Sequence, residues 1–446
     1  MTDSLVNRVL WTRRTWNLQK NPFPTTAIAR LGSEDDRENG LLFNPAVQAG
    51  KVREAIDKFV LGPIYSGLKF GFLWSIGTGS GSDARGFGKS SMLQFIVERV
   101  NQDWGRRAVL DAGLDESDAA EEPMAALLAA FDMANARSLN AVFYEAARFG
   151  CRFTAHPDEP TVALRIRDRL VARVGSDRVE DLRAAVEAAQ QQLRGRTLGP
   201  LIPEFVDLLV GGDHDALVHY VNEVTPTKRT RSGAAYLATF LVYLKAAGIR
   251  HVLLCCDQLE DFAATTTSRQ KRTVEVERFR DYVLELQPMS DILSVIVTMH
   301  PRATAAIADM WSLADLPSYD YARTENGPRV VILETMKTVA QVRDLLAPYI
   351  NAFRTSGEHA NDPLFPLTPE AIKAILEHTS GKPRDVLRTA AALVDAGAEA
   401  NWDVISGPLA EKFLESFALN DSDETWSQPA LVDVNPWAIP TVGPEN

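Results

Sequence analysis

The run Gly86-Phe87-Gly88-Lys89-Ser90-Ser91 holds the residue types that grip a phosphate. Glycines let the backbone wrap an anion with its N–H groups turned inward, and a helix starting there adds partial positive charge. Lys89 can reach the β- and γ-phosphates, and the Ser90 hydroxyl can hold Mg2+. The spacing is the second half of G-x-x-x-x-G-K-[ST]. The first glycine of that pattern falls on Asp83, with Gly77, Gly79 and Gly81 just upstream. The loop therefore reads as lengthened, with one of these glycines taking the first place. The plain alternative is a flexible Gly/Ser turn ahead of an ordinary helix. Against it stand the apolar run Phe70 to Ile76 before the loop and the helical spacing of Met92, Leu93, Phe95, Ile96, Val97 and Val100 after it.

A second candidate lies about 170 residues on. The apolar run His251-Val252-Leu253-Leu254-Cys255-Cys256 ends in Asp257, the pattern of a carboxylate at the C-terminal end of a buried strand, where it can hold a water on Mg2+. A further apolar run, Ile292 to Val297, ends in Thr298 and, two residues on, His300. A polar side chain there faces the γ-phosphate or the attacking water, with Thr298 the first candidate. The bland reading is a strand end that meets solvent. Lys228, Arg229 and Arg231 form a small basic loop that could meet nucleic acid but reads more simply as solvated.

The elements that position these residues follow from periodicity. Strands are expected at 70–76, 107–112, 251–257, 292–297 and 329–333. Between 116 and 247 the pattern is almost wholly helical, including 124–133, 141–149, 162–174 and 179–193. This is far longer than an ordinary crossover. Further helices are expected at 46–59, 268–287, 339–352, 369–378 and 383–396. The chain of 446 residues is 46% hydrophobic and 24% charged, with a net charge of −12. That balance excludes a generally basic nucleic-acid-coating protein. Cys151, Cys255 and Cys256 make no disulfide or zinc pattern and suit a reducing cytoplasm. No apolar stretch is long enough for a membrane span, and the N-terminus lacks a signal-peptide layout.

Together these features resemble the AAA+ ATPases, in the additional-strand class of P-loop NTPases. The likeness is strongest to the initiator-like, transposition-regulator and secretion-ATPase branch. Asn21-Pro22-Phe23 is similar to the leading segment of that branch. The runs Phe365 to Ile372 and Ser380 to Arg388 are similar to its lid. The resemblance covers about residues 16–112 and 234–400. It implies an α/β fold: a five-stranded parallel P-loop NTPase sheet with a large helical insertion and a C-terminal helical lid. It implies ATP and Mg2+ as ligands, with Phe23, Gly86, Phe87, Gly88, Lys89, Ser90 and Ser91 on the nucleotide and Ser90 and Asp257 on the metal. Lys89, Asp257, Glu260, Thr298 and Arg384 become the catalytic set, Arg384 reaching the γ-phosphate from the lid. An arginine finger would come from a neighbouring subunit, with Arg302, Arg323 and Arg329 as candidates.

Two departures from the family bear on activity. Besides the long loop, Gln258 stands where the family usually has a catalytic Glu; a Gln positions water but takes no proton. Glu260 or Asp261 could substitute. No winged-helix module follows the lid. The implied layout is an N-terminal leading segment (1–60), an ATPase core (61–335, insertion about 116–232), a helical lid (336–415) and an acidic tail with Trp426 and Trp437 (416–446). The expected function is a cytoplasmic ATP-driven switch that assembles with itself and with a protein partner through the insertion or tail, in a DNA transaction or anti-phage defence. A nucleotide-locked scaffold and a STAND-type signalling ATPase are the alternatives.

Overall fold

The computed structural model describes residues 2–27, 35–67, 70–75, 86–115, 117, 121–130, 139–154, 159–193, 199–224, 232–257, 268–298, 312–313, 330–357, 359 and 362–417. After α1 (Thr2–Arg14) come a 3-10 turn (Pro45–Gln48), α2 (Ala49–Ala55), a π-helical stretch (Ile56–Leu61) and α3 (Gly62–Tyr65). Then follow β1 (Phe70–Ser75), α4 (Lys89–Asp103), α5 (Arg106–Asp111) and β2 (Met124–Ala130). A helical run comes next: α6 (Leu139–Arg152), α7 (Val162–Val174), α8 (Val179–Gln191), α9 (Pro203–Gly211), α10 (His214–Glu223) and α11 (Gly233–Ala246). The chain continues with β3 (His251–Asp257), α12 (Arg269–Glu285), β4 (Leu293–Thr298) and β5 (Val330–Leu333). It closes with α13 (Val339–Ala352), α14 (Pro369–Thr379), α15 (Pro383–Glu399) and α16 (Gly407–Leu414).

The fold class expected from the sequence is corrected by these elements. The described chain is mostly helical, and the sheet with 107–112 as its second strand does not form. That segment is α5. Trp104 and Gly105 both take positive φ, and the turn they make launches a helix in which Arg107 pairs with Asp111 one turn on. Conversely, Met124–Ala130, read as helix from its alanines and leucines, is β2. Burial on both faces overrides its helical propensity. The strands present are short and parallel, in the order β2-β3-β4-β1-β5.

Alternation along β2 shows why small residues are needed there. Ala125, Leu127 and Ala129 pack with α6 and α11, whereas Met124, Ala126 and Leu128 pack with α4. β3 divides likewise, with Val252, Leu254 and Cys256 on one side and Leu253 and Cys255 on the other. Its two thiols are fully buried, and burial pushes the Cys256 thiol up to about 12, so both are inert core groups. β2 ends the sheet, and its outer edge is closed by a side chain of α4. The buried Asn101 carboxamide donates to the Ala126 carbonyl at 2.8 Å and accepts from the Ala126 N–H at 2.9 Å.

The helical run is tied together by arginines of α7. Arg167 Nε donates to the Val210 carbonyl at the end of α9, at 2.7 Å. Arg169 Nε donates to the Ala247 carbonyl just past α11, at 3.0 Å. Arg165 Nη2 donates to the Gln102 carbonyl at the end of α4, at 2.8 Å, and its guanidinium lies 4.7 Å over the Trp104 ring. Each cation thus meets the negative end of a different helix.

The leading segment and the lid share one core. Trp16, Leu18, Phe23 and Val47 pack with α13, α14 and α15. Trp16 is fully buried and its Nε1 donates to the Asp403 carbonyl at 3.0 Å. Among the described residues no helix is long and apolar enough to cross a membrane. The tail beyond residue 417 lies outside the described residues.

Candidate functional site

Gly86 and Gly88 have φ of +85° and +90°, a region that L side chains rarely adopt. Between them Phe87, 1% exposed, anchors the loop in the core beneath α4. Gly88 is the N-cap of α4 and supplies no side-chain cap. The N–H groups of the first turn, Lys89, Ser90 and Ser91, lie before the intrahelical bonding pattern begins; the first such bond runs from the Met92 N–H to the Gly88 carbonyl at 2.9 Å. Lys89 is only 7% exposed.

The lid meets this loop directly. The Arg384 N–H donates to the Gly86 carbonyl at 3.0 Å. A Cβ on Gly86 would lie 2.6 Å from the Arg384 Cβ, so glycine is required there by contact as well as by φ. Arg384 sits in the first turn of α15, which starts at Pro383 and also lacks a side-chain cap. Two helix N-termini therefore converge on one place.

A cavity of about 240 Å3 opens between them. Gly86, Phe87, Gly88, Lys89, Ser90, Ser91 and Arg384, all singled out from the sequence, line it. The remaining wall comes from the leading segment and the lid, with Leu42, Phe43, Val47, Leu345, Tyr349 and Leu387 as its apolar part. Phe23 is not among the lining residues. It is fully buried one layer back, its ring 6.2 Å from that of Tyr349.

Asp257 and Thr298 end two neighbouring parallel strands, β3 and β4. Both are buried, and Thr298 Oγ1 donates to Asp257 Oδ1 at 2.6 Å. The two were separate candidates in the sequence; the register joins them. Neither is among the described residues that line the cavity. On the reading that the chain hydrolyses ATP, Thr298→Val, which replaces the hydroxyl by a methyl, should lower turnover by about tenfold or more through misorientation of Asp257. Nucleotide affinity should hardly change, and an equal fall in both would reject this role.

No family model, curated protein or solved structure matches this chain. The residues themselves carry the functional argument.

Periodicity and motif left out the contribution of Arg37, Glu38 and Gln48. Arg37, Glu38 and Gln48 line the cavity, although nothing in their spacing signals it. Gln48 ties the loop to the segment after β5, donating to the Glu334 carbonyl at 3.1 Å. Arg37 is locked by Asp35, with Nε to Oδ1 at 2.9 Å and Nη2 to Oδ2 at 2.5 Å. Its Nη1 donates to the Asn21 carbonyl at 3.0 Å. The Arg37 hydrogen bonds hold the Asp35 carboxyl well below the usual carboxylate range. Because the folded-state value is depressed, this pair stabilises the fold above the ordinary carboxylate range. That support is lost as pH falls through the folded value. Asp35→Asn should flatten the dependence of thermal midpoint on pH between about 2 and 5. An unchanged acid limb would show that the pair contributes nothing.

Gln258, Glu260, Asp261, His300, Arg302, Arg323, Arg329, Lys228, Arg229 and Arg231 lie outside the described residues.

Proposed function

We propose that this chain is an ATP-binding and ATP-hydrolysing molecular switch of the AAA+-like kind. The observation that carries this reading is the single cavity that gathers Gly86 to Ser91 with Arg384. The uncapped N-terminus of α4, a buried lysine and an arginine meet there, which suits a chain of phosphates. The apolar wall of Leu42, Phe43, Val47 and Tyr349 suits the faces of a base.

In this reading Lys89 and the first-turn N–H groups of α4 bind the phosphates. Arg384 links the charge at the γ-phosphate to the position of the lid. Ser90 and Asp257 would hold Mg2+; a first-turn hydroxyl and a buried carboxylate fixed by Thr298 fit a hard cation with oxygen ligands. The ion supplies charge neutralisation at the phosphates. Thr298 keeps Asp257 oriented, and Glu260 takes the proton of the attacking water. Self-assembly in the cytoplasm, with a protein partner on the insertion or tail, completes the switch.

A nucleotide-locked scaffold is the second reading, favoured by Gln258 at the usual place of the catalytic carboxylate. Steady-state hydrolysis measured beside ATP binding separates the two. Turnover by wild type, abolished in Glu260→Gln with binding intact, supports the enzyme. Tight binding without turnover, restored by Gln258→Glu, supports the scaffold. Absence of ATP binding overturns both.

A further inference from the structure

The cavity wall built from residues 35–43 includes one side-chain carboxylate, Glu38. Glu38 lines the cavity and is half-buried, its Oε1 accepting from Thr26 Oγ1 at 2.7 Å. That hydroxyl fixes the carboxylate in place. Gly40, also in the lining, has φ of +82°, and a Cβ there would collide with Gln94 Oε1. Gln94 reaches this point from the second turn of α4 and is 3% exposed. Its Oε1 is buried with no hydrogen-bond partner. Gln94 stands behind Gly40 and is not among the lining residues, so the carboxylate that meets the cavity from this segment is that of Glu38. The neighbouring cation does not reverse the sign of this wall, because Arg37 directs its donors to Asp35 and to the Asn21 carbonyl.

We propose that Glu38, held by Thr26, selects nucleotides by the exocyclic amino group of the base. Adenine presents such a donor at C6. Hypoxanthine presents a carbonyl oxygen in the same place, which would face an acceptor and be rejected. This rests on the nucleotide reading of the cavity and adds to it the residue that tells one base from another. A missing donor opposite a fixed acceptor discriminates far more strongly than a change of shape.

The test is equilibrium binding of ATP and of inosine triphosphate to the full chain, as wild type, Glu38→Gln and Glu38→Ala. Wild type should bind ATP at least about tenfold more tightly than the inosine nucleotide. Glu38→Gln gives the wall an N–H donor, so the ratio should collapse towards one, mainly by tighter binding of the inosine nucleotide. Glu38→Ala should weaken ATP alone. Equal wild-type affinities, or a ratio that Glu38→Gln leaves unchanged while ATP still binds, overturn the selection role and leave the cavity's nucleotide reading standing. Binding of neither nucleotide to folded wild type overturns both.

Discussion

Lys89→Ala is expected to weaken ATP binding by about a hundredfold and to take turnover below detection. A charge-assisted hydrogen bond to phosphate contributes about 1.5–3 kcal/mol, and the loss is larger where water is excluded. Lys89 opens α4 and is 7% exposed within the cavity wall, so its ammonium acts close to the ligand with little screening. The effect should not come from unfolding, since alanine is the best helix former and the position is a first-turn one. The thermal midpoint without nucleotide should therefore stay near that of wild type, while the rise on adding ATP disappears. Lys89→Arg should not rescue binding, because a planar fork does not replace a point charge at a buried position. ATP affinity within a few-fold of wild type in Lys89→Ala would remove the lysine from the site.

Asn101→Leu is expected to cost about 2–6 kcal/mol of stability. One carboxamide serves both the N–H and the C=O of Ala126 on the outer edge of β2. A leucine of similar size leaves both groups buried and unpaired, at about 1–3 kcal/mol each. The measurement is the thermal midpoint together with light scattering on heating. Gln102→Ala next to it, at an exposed position, should change the midpoint little. If Asn101→Leu melts with wild type, the edge is satisfied in some other way.

Part of the cavity lining could be read in advance because Gly86, Gly88, Lys89 and Ser90 are near neighbours in sequence. Strands at Phe70–Ser75, His251–Asp257, Leu293–Thr298 and Val330–Leu333 stand where short apolar runs placed them. The failures have a common cause. Met124–Ala130 is built of helix formers, yet two helical layers bury it from both sides, and only small residues let them approach. Arg106–Asp111 has the apolar content of a strand, but a two-residue left-handed turn sets its direction. Arg37 and Glu38 escaped notice because what matters about them is distance in space. Their segment is brought to the Gly86–Ser91 loop by the shared core of Trp16, Phe23 and the C-terminal helices together with Gln48.

α4 is a strut about 22 Å long, taking 15 residues at 1.5 Å each. One end carries Lys89 and the uncapped N–H groups at the cavity. The other is held by Arg165 through the Gln102 carbonyl and the face of Trp104. The same helix as Arg165 grips the ends of α9 and α11. α4 therefore joins the cavity at one end to the helical run at the other, with Arg165 as one of the ties.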